Sequence, residues 1–513
     1  MRVFEFLLLL LAAAVMLAAL ARRIGAPYPA LLALAGAAIA LTPFSASLDL
    51  EPALLLALFL APVLLDAAFD APLRDLRANW VPLAGLVFVA VGLTTAAVAV
   101  VARLLVPDLP LAAAIALGAI VAPPDAAAAS AVLRAVRPPH RLLVLLEGES
   151  LLNDASALLV YRMAVSAAIA AQQGSPLRLA PGLALSVLGS LVMGFILARI
   201  VERLLTRVSH VSSSIVLQFV TTWGVWILAD RLGLSPVLTM VVYGMTLGRF
   251  APAHSPASIR VPSYAVWDTA VMVLNALAFV LIGLQLRPIL AQAPPGGLLN
   301  YALFGAAILA TCILIRLTWV LAYTWSVRLI RPGASTAALG VGNSPSWTNA
   351  IVASWCGMRG IVTLVTALAL PATFPHRDLI LFAAFAVTFG TLTIQGQTLR
   401  PLMLRLRLAS DDVVEREVQS ARIELADVAH HALEAHTGPE AEALRSQLHT
   451  QRAAAGDAAE GRAAALRIQS LRRLTLDRRR ARLLELRRTG VIGNDAFHRL
   501  EEELDLADLD RSG

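Results

Sequence analysis

EGESLLNDAS, residues 147–156, places three carboxylates, Glu147, Glu149 and Asp154, within eight residues of a chain that is otherwise strongly apolar. The 513 residues are 58% hydrophobic and 15% charged, with a mean hydropathy of +0.73. This composition is typical of a chain that crosses a membrane many times and lies outside the range of soluble globular proteins. Because a charge near the bilayer centre costs at least about 2.5 kcal/mol, each of these carboxylates needs a partner or a function.

Apolar runs on both sides of this stretch predict an all-α polytopic membrane protein with about thirteen transmembrane helices. Each run is long enough to cross about 30 Å of hydrocarbon and is bounded by proline, glycine or arginine. The runs fall at 4–20, 28–46, 52–70, 80–105, 110–134, 141–172, 181–206, 213–231, 235–250, 264–290, 300–326, 347–370 and 378–400. Residues 1–20 fit a retained first helix better than a cleaved signal peptide, because they contain Glu5 and are followed by two arginines.

The basic residues predict the orientation of these helices. All 42 are arginine, and the loops that alternate along the chain give 17 arginines on one side of the membrane and 6 on the other. Arginine-rich loops remain in the cytoplasm, so we expect the N-terminus outside and the C-terminal tail in the cytoplasm. The excess of arginine therefore sets topology and does not indicate nucleic-acid binding.

Two of the predicted helices are interrupted near their middle. VAPPDAAAAS (121–130) breaks the fifth and SWCGMRGIVT (354–363) breaks the twelfth, each with helix-breaking residues beside a charge. Thirteen helices divide as six, one linker and six, which predicts six-helix inverted repeats. Since the two breaks hold the same position in each half, we expect two broken helices that cross and free backbone carbonyls for an ion.

The sixth helix carries the candidate site. Ser150 and Asp154 share one helical face, and with Asn153 they offer the oxygen atoms that a small, hard cation prefers. A buried carboxylate also holds a proton more strongly than one in water, so Asp154 is expected to bind a proton and a cation in turn. A salt bridge from Asp154 to Arg162 or Arg316 is the structural alternative.

Two other carboxylates near the breaks, Glu149 and Asp125, each allow more than one role. Glu149 faces different neighbours from Asp154 and is predicted to pair with a buried arginine, with Arg359 at the second break as the first choice. Exposure of Glu149 to water in a cytoplasmic funnel is the alternative. Asp125 follows two prolines, where it can cap the next helix turn, support the ion site, or do both.

Four motifs together carry a family resemblance: VAPPDAAAAS (121–130), GESLLNDASALLVYR (148–162), LNALAFVLIGLQL (274–286) and WCGMRGIVTLVTALALP (355–371). They resemble the bacterial NhaP-type monovalent cation/proton antiporters of the first cation–proton antiporter family, which are relatives of the animal sodium/hydrogen exchangers. The resemblance covers residues 1–407. It implies a homodimer whose protomers each hold a dimerisation domain and a six-helix core that moves for alternating access.

The resemblance also implies roles for individual residues. Asn153 and Asp154 match the pair that carries exchange in the family, and this pair is associated with electroneutral, one-for-one exchange. Glu149 and Arg359 match a structural ion pair. Ser150 and a residue of the first unwound stretch contribute to the cation site.

Two positions depart from the family pattern. Many members have Thr-Asp-Pro at the first break, whereas this chain has Pro124 before Asp125, so a threonine hydroxyl is lost. Backbone carbonyls near Val121 and Ala122 are expected to substitute for it as ligands. Asp66 stands where many relatives have glutamate, and we expect it to have a supporting role.

The chain is predicted to divide into a transmembrane antiporter domain, residues 1–407, and a cytoplasmic helical tail, residues 408–513. The tail is either a solvated helical hairpin or a regulatory domain. In the second case the acidic segment 501–510 would pair with the arginine-rich segment 466–488 or release it to anionic lipid.

Together these features predict a secondary antiporter in a bacterial plasma membrane. It would export Na⁺ or Li⁺ in exchange for protons, with K⁺ as the alternative ion, and would serve pH and salt homeostasis. No cofactor is expected, and no GxxxxGK[ST] phosphate loop occurs. An intramembrane enzyme is disfavoured because the sixth and twelfth helices contain no histidine, and a channel because one buried carboxylate at a helix break makes a binding site and not a continuous pore.

Overall fold

The structure is a computed structural model of the chain. It describes residues 2–24, 27–42, 51–125, 128–130, 133, 138–173, 179–292, 297–330, 347–408, 413–433, 438–439, 442, 445–446, 475, 478–479, 481–483, 485 and 500. Within these residues it contains helices and no strands. It divides into two units, Met1–Ser410 and Asp411–Gly513.

The first unit is a bundle of sixteen helices within the described ranges. They are α1 (Arg2–Ile24), α2 (Tyr28–Ala40), α3 (Pro52–Phe69), α4 (Leu73–Ala78), α5 (Trp80–Leu105), α6 (Leu111–Val121), α7 (His140–Gln173), α8 (Leu179–Leu205), α9 (Val211–Arg231), α10 (Pro236–His254), α11 (Ala257–Leu284), α12 (Leu286–Gln292), α13 (Leu298–Ile330), α14 (Trp347–Trp355), α15 (Ile361–Leu368) and α16 (Arg377–Leu406). Helices α3 and α5 each include a π-helical segment, Leu56–Leu60 and Gly85–Ala90.

Seven spans in the described part of the chain are long and apolar enough to cross a membrane. They lie in α3, α5, α8, α9, α11 with α12, α13 and α16, and α1, α2 and α6 contain shorter apolar segments. A helix lies within each of the thirteen predicted stretches, because apolar runs satisfy their backbone groups as helices in a membrane. The number of crossings, the inverted repeat and the orientation of the termini stay predictions.

Both predicted interruptions are present. Helix α6 ends at Val121 and residues 122–125 are not helical, because Pro123 and Pro124 cannot donate backbone hydrogen bonds. Helix α14 ends at Trp355, and the next helix begins at Ile361. We call residues 122–125 the first break and residues 356–360 the second break. Much of the fifth predicted stretch beyond Asp125 lies outside the described residues.

Helix α7, which carries the three carboxylates, lies at the centre of the bundle. Its side chains belong to all three large apolar clusters: Leu146 packs with α1, α2, α11 and α16, Leu151 with α3 and α8–α10, and Tyr161 with α5, α6, α13 and α16. One wall beside it is held by close packing of α2 on α11. A Cβ on Gly283 would overlap the carbonyl oxygen of Ala33, so only glycine permits this approach.

In the second unit the structure describes one long helix, α17, Val413–Ala432. Most of the arginine-rich segment 466–488 and all of the acidic segment 501–510 lie outside the described residues. The two readings of the tail therefore stay predictions.

Candidate functional site

The two breaks touch each other beside α7. The backbone N–H of Asp125 in the first break donates to the carbonyl oxygen of Met358 in the second break, at 2.7 Å. The carboxylate of Asp125 packs against Gly360 so closely that a Cβ at this glycine would overlap it. The two unwound segments are therefore in direct contact, because proline opens one and glycine leaves room in the other.

The buried side chain of Arg359 also connects the second break to the end of α6 and the first break. Only 1% of its surface is exposed. Its Nε donates to the carbonyl oxygen of Val121 at 2.9 Å and its Nη2 to that of Ala122 at 3.4 Å, while Nη1 donates to the carbonyl of Gly357. These carbonyls lie at helix ends and lost their intrahelical partners when the helices were broken. A guanidinium supplies several donors in a fixed plane and places positive charge at the C-terminal end of α6, where the helix dipole is negative.

Glu149 forms an ion pair with a different arginine from the one predicted. Its Oε1 and Oε2 accept hydrogen bonds from Nη1 and Nη2 of Arg316 on α13, at 2.5 and 2.9 Å. Arg316 also donates to the carbonyl oxygen of Ala353, at 3.1 Å. The predicted pair of Glu149 with Arg359 is therefore wrong, because the broken helix ends engage Arg359 and α13 brings Arg316 to the carboxylate. Glu149 is 1% exposed, which also contradicts its alternative placement in a funnel.

Asp154 lines a cavity of about 520 Å³, which we call the central cavity. The cavity is bounded by α3, α7, α11, α15 and the first break, and Asp125 and Ser150 line it as well. Asp154 is 7% exposed, and within the described residues it has no hydrogen bond or ion pair. The structure thus brings three of the predicted site residues to one cavity, and among the described residues Asp154 has no counter-ion.

The arginines that could have neutralised Asp154 are engaged elsewhere. Arg162 donates to the carbonyl oxygen of Leu234 at 3.0 Å and lies 3.8 Å from the carboxylate of Asp230. Arg316 is held by Glu149. The structural alternative for Asp154, a salt bridge to either arginine, is therefore contradicted.

Asn153 lies outside the central cavity. Its side chain is fully buried, does not line the cavity, and has no hydrogen-bond partner for either amide atom among the described residues. Consecutive residues of a helix point about 100° apart, so Asn153 and Asp154 face different surroundings. The predicted role of Asn153 in binding stays a prediction.

The backbone ligands predicted at the first break are engaged by protein. The carbonyl oxygens of Val121 and Ala122 accept hydrogen bonds from Arg359, so a cation bound to them would share them with a guanidinium. Pro124 is buried and does not line the central cavity. The role of these three residues as the unwound backbone of the ion site stays a prediction.

The central cavity also contains two polar side chains that were not predicted from the sequence. They are Asp268 and Asn275 of α11. Asp268 lies eleven residues after the first residue of an apolar helix. The rule that singled out the carboxylates of α7, a charge within a membrane-length apolar helix, would have found it as well.

Comparison with known proteins relates most of the chain to sodium/hydrogen exchangers. The family described as "Sodium/hydrogen exchanger, transmembrane" matches residues 9–405. An uncharacterised Na⁺/H⁺ exchanger of Mycobacterium tuberculosis is 30% identical over 435 residues, which covers 83% of this chain and 78% of the relative. A protein of Bacillus pumilus named as a sodium, potassium, lithium and rubidium/H⁺ antiporter is 30% identical over 74% of this chain and 57% of its own.

A solved structure shares the fold. The sodium proton antiporter MjNhaP1 of Methanocaldococcus jannaschii matches with a TM-score of 0.57 and 18% identity, over 79% of this chain and 99% of its own. The family match includes both breaks, α7 and the walls of the central cavity. The chain therefore belongs to the sodium/hydrogen exchanger family of membrane antiporters.

Proposed function

We propose that this chain exchanges Na⁺, or Li⁺, for protons across the membrane and that Asp154 binds the two in turn. The observation that carries the proposal is the environment of Asp154: a buried carboxylate that lines a cavity beside the two helix breaks and has no counter-ion among the residues that the structure describes. An ionised carboxylate without compensation is costly in such a place. A proton or a small cation compensates it, and each excludes the other.

The surrounding charges favour one exchangeable position. Glu149 and Arg316 neutralise each other, and the positive charge of Arg359 lies against the carbonyls at the end of α6. The hydroxyl of Ser150 and the carboxylate of Asp125 line the same cavity and supply further oxygen ligands for a bound cation. Because Asp154 is the one buried carboxylate among the described residues that line this cavity, one cation replaces one proton and exchange is electroneutral.

The remaining features of the proposal follow the family. The chain forms a homodimer in a bacterial plasma membrane with its N-terminus outside, and each protomer has thirteen transmembrane helices in two inverted repeats. Residues 1–407 form the antiporter domain, and residues 408–513 form a cytoplasmic tail. The arginine-rich loops and the likeness to MjNhaP1 support this arrangement. In this setting exchange serves pH and salt homeostasis.

A second candidate is a K⁺/H⁺ antiporter of the same fold. It is favoured by the name of the Bacillus pumilus relative, which includes potassium and rubidium beside sodium and lithium. The proposed ligands do not exclude a larger ion, because the central cavity is wide relative to any of these cations.

The proposal is tested in everted membrane vesicles that report the proton gradient by fluorescence. Addition of Na⁺ or Li⁺ should dissipate the gradient in vesicles with the wild-type protein, and the rate should not depend on an imposed membrane potential. The same assay with K⁺ in place of Na⁺ tests the second candidate, because a K⁺/H⁺ antiporter should dissipate the gradient when K⁺ is added. A response to none of the three ions between pH 6 and 9 would contradict both candidates, and a rate that follows the potential would contradict electroneutrality.

A further inference from the structure

A second large cavity lies on the other side of α3 from α7. Its volume is about 560 Å³, and it is bounded by α3, α8, α9, α10 and α11; we call it the side cavity. Ser209 and Ser255, in the α8–α9 and α10–α11 connections, line it. The central cavity is lined by Pro72 in the α3–α4 connection, and Asp70 at the end of α3 lines both cavities. The two cavities therefore reach the same end of the bundle.

Three carboxylates form a shared boundary between the cavities. Asp66 and Asp70 on α3 and Asp268 on α11 line both the side cavity and the central cavity. Because each of them lines both cavities, a cation beside this boundary is close to both spaces. The residues of the boundary line the same central cavity as Asp154.

The lining of the side cavity is largely apolar, and a group of polar side chains lies within it. Trp267 donates from Nε1 to Oε1 of Gln218 at 2.8 Å, and Nε2 of Gln218 donates to the hydroxyl of Ser263 at 3.2 Å. The hydroxyl of Tyr243 donates to that of Thr221, at 3.4 Å. This polar group offers hydrogen-bond partners to water and to a hydrated cation in the cavity.

The side cavity also carries an excess of negative charge. The described residues that line it include four carboxylates, those of Asp66, Asp70, Glu202 and Asp268, and one basic side chain, Arg260. Because Glu202 is paired with Arg199 at 2.7 Å, three carboxylates remain against one arginine. Fixed charges of one sign in a cleft with low-dielectric walls raise the local concentration of counter-ions. Cations are therefore concentrated in the side cavity and anions are excluded from it.

Asp268 is the carboxylate of the boundary that the protein leaves uncompensated. It is exposed to the cavities, and within the described residues it has no hydrogen bond or ion pair. A charged side chain within an apolar helix is a candidate for a functional role. The position of Asp268 between two cavities indicates what that role is.

We propose that the side cavity is a second vestibule for the transported cation and that Asp268 passes the cation from it to the central cavity. The inference rests on the proposed exchange function and adds an entry route to it. Asp268 steers the ion and does not bind it in the exchange step, which belongs to Asp154. Removing its charge lowers the local cation concentration and leaves the turnover of a loaded site unchanged.

The first test is Asp268→Asn in the vesicle assay. The apparent KM for Na⁺ should rise about three- to tenfold with an unchanged maximal rate, since electrostatic focusing changes local ion concentration. The increase should shrink when choline chloride raises the ionic strength from about 0.1 to about 1 M, because the screening length falls from about 10 to about 3 Å. Asp268→Glu should restore the wild-type KM.

Asp108→Asn is the matched control, since it removes an exposed carboxylate that lines neither cavity. An unchanged KM in Asp268→Asn, or an increase that does not respond to salt, would overturn the role of Asp268. In the same series, exchange by the wild type and its loss in Asp154→Asn would support the proposed exchange function. A failure of the role of Asp268 is therefore distinguishable from a failure of the proposed function.

The second test addresses the side cavity itself. Cys312 and Cys356 are buried, so a cysteine introduced by Ser209→Cys at the exposed edge of the side cavity can be modified selectively. A cationic methanethiosulfonate reagent there should raise the apparent KM for Na⁺, whereas an anionic reagent of similar size should leave it unchanged or lower it. Ala78→Cys, which is exposed, lies outside both cavities and shares the arginine-rich end with Ser209, is the control. No effect, or the same effect with both reagents, would overturn the vestibule.

Discussion

Glu149 and Asp154 lie five residues apart on α7, and the protein treats them in opposite ways. Glu149 accepts two hydrogen bonds from Arg316 and is closed off from solvent. Asp154 is also buried, but it faces a cavity and has no counter-ion within the described residues. A carboxylate that is always compensated by protein has a structural role, whereas one that must obtain a proton or a cation from the cavity can exchange them.

The largest expected effect separates these two roles at Asp154. Asp154→Asn removes the exchangeable charge, so Na⁺-dependent proton movement should be abolished in vesicles. The thermal stability of the purified protein should stay the same or rise, because a buried charge is replaced by a neutral amide of similar shape. Exchange at the wild-type rate would contradict the assignment, and loss of folded protein would show that Asp154 is structural, as Glu149 is.

At Glu149 the opposite result is expected. Glu149→Gln leaves the guanidinium of Arg316 buried without its anion, and breaking a buried pair in this way costs about 3–5 kcal/mol. The free energy of unfolding, or the melting temperature in detergent, should fall steeply, and any protein that remains folded should still exchange ions. A stable Glu149→Gln protein without activity would place Glu149 in the exchange step and remove the contrast with Asp154.

Arg359→Lys tests the second buried arginine. A lysine ammonium cannot reach the carbonyls of Val121, Ala122 and Gly357 together, and a buried carbonyl left without a donor costs about 1–3 kcal/mol. We expect a moderate loss of stability and a slower maximal rate, measured on the same preparations. A loss as large as that of Glu149→Gln would mean that Arg359 compensates a carboxylate after all.

The smallest effect is a coupling energy, and it tests which arginine is the partner of Glu149. Glu149→Arg combined with Arg316→Glu should recover about 0.5–3 kcal/mol relative to the sum of the two single variants. The same charge exchange between Glu149 and Arg359 should recover nothing. Recovery only in the second combination would reverse the assignment that the structure makes.

Much of the fold follows directly from the sequence. Apolar runs bounded by proline, glycine and arginine predict where helices begin and end, since a membrane leaves few other ways to satisfy the backbone. The breaks were predictable because Pro123, Pro124, Gly357 and Gly360 oppose helix in the middle of apolar runs. The shared face of Ser150 and Asp154 was predictable from helical spacing alone.

The ion pairing was not predictable in the same way. Arg316 and Arg359 are both buried arginines in the second half of the chain, and their spacing from Glu149 in sequence does not distinguish them. The choice depends on how α13 and the second break pack beside α7 in three dimensions. The carbonyls at the end of α6 compete with Glu149 for a guanidinium. A prediction made from side chains alone does not include these backbone acceptors.

The contact between the two breaks has a mechanical consequence. The N–H of Asp125 and the guanidinium of Arg359 both bridge from one unwound segment to the other, and each bridge is inside the bundle. Pulling the segments apart would leave several polar groups without partners in a medium that cannot replace them. We therefore expect any motion of one unwound segment to carry the other with it as a single rigid piece.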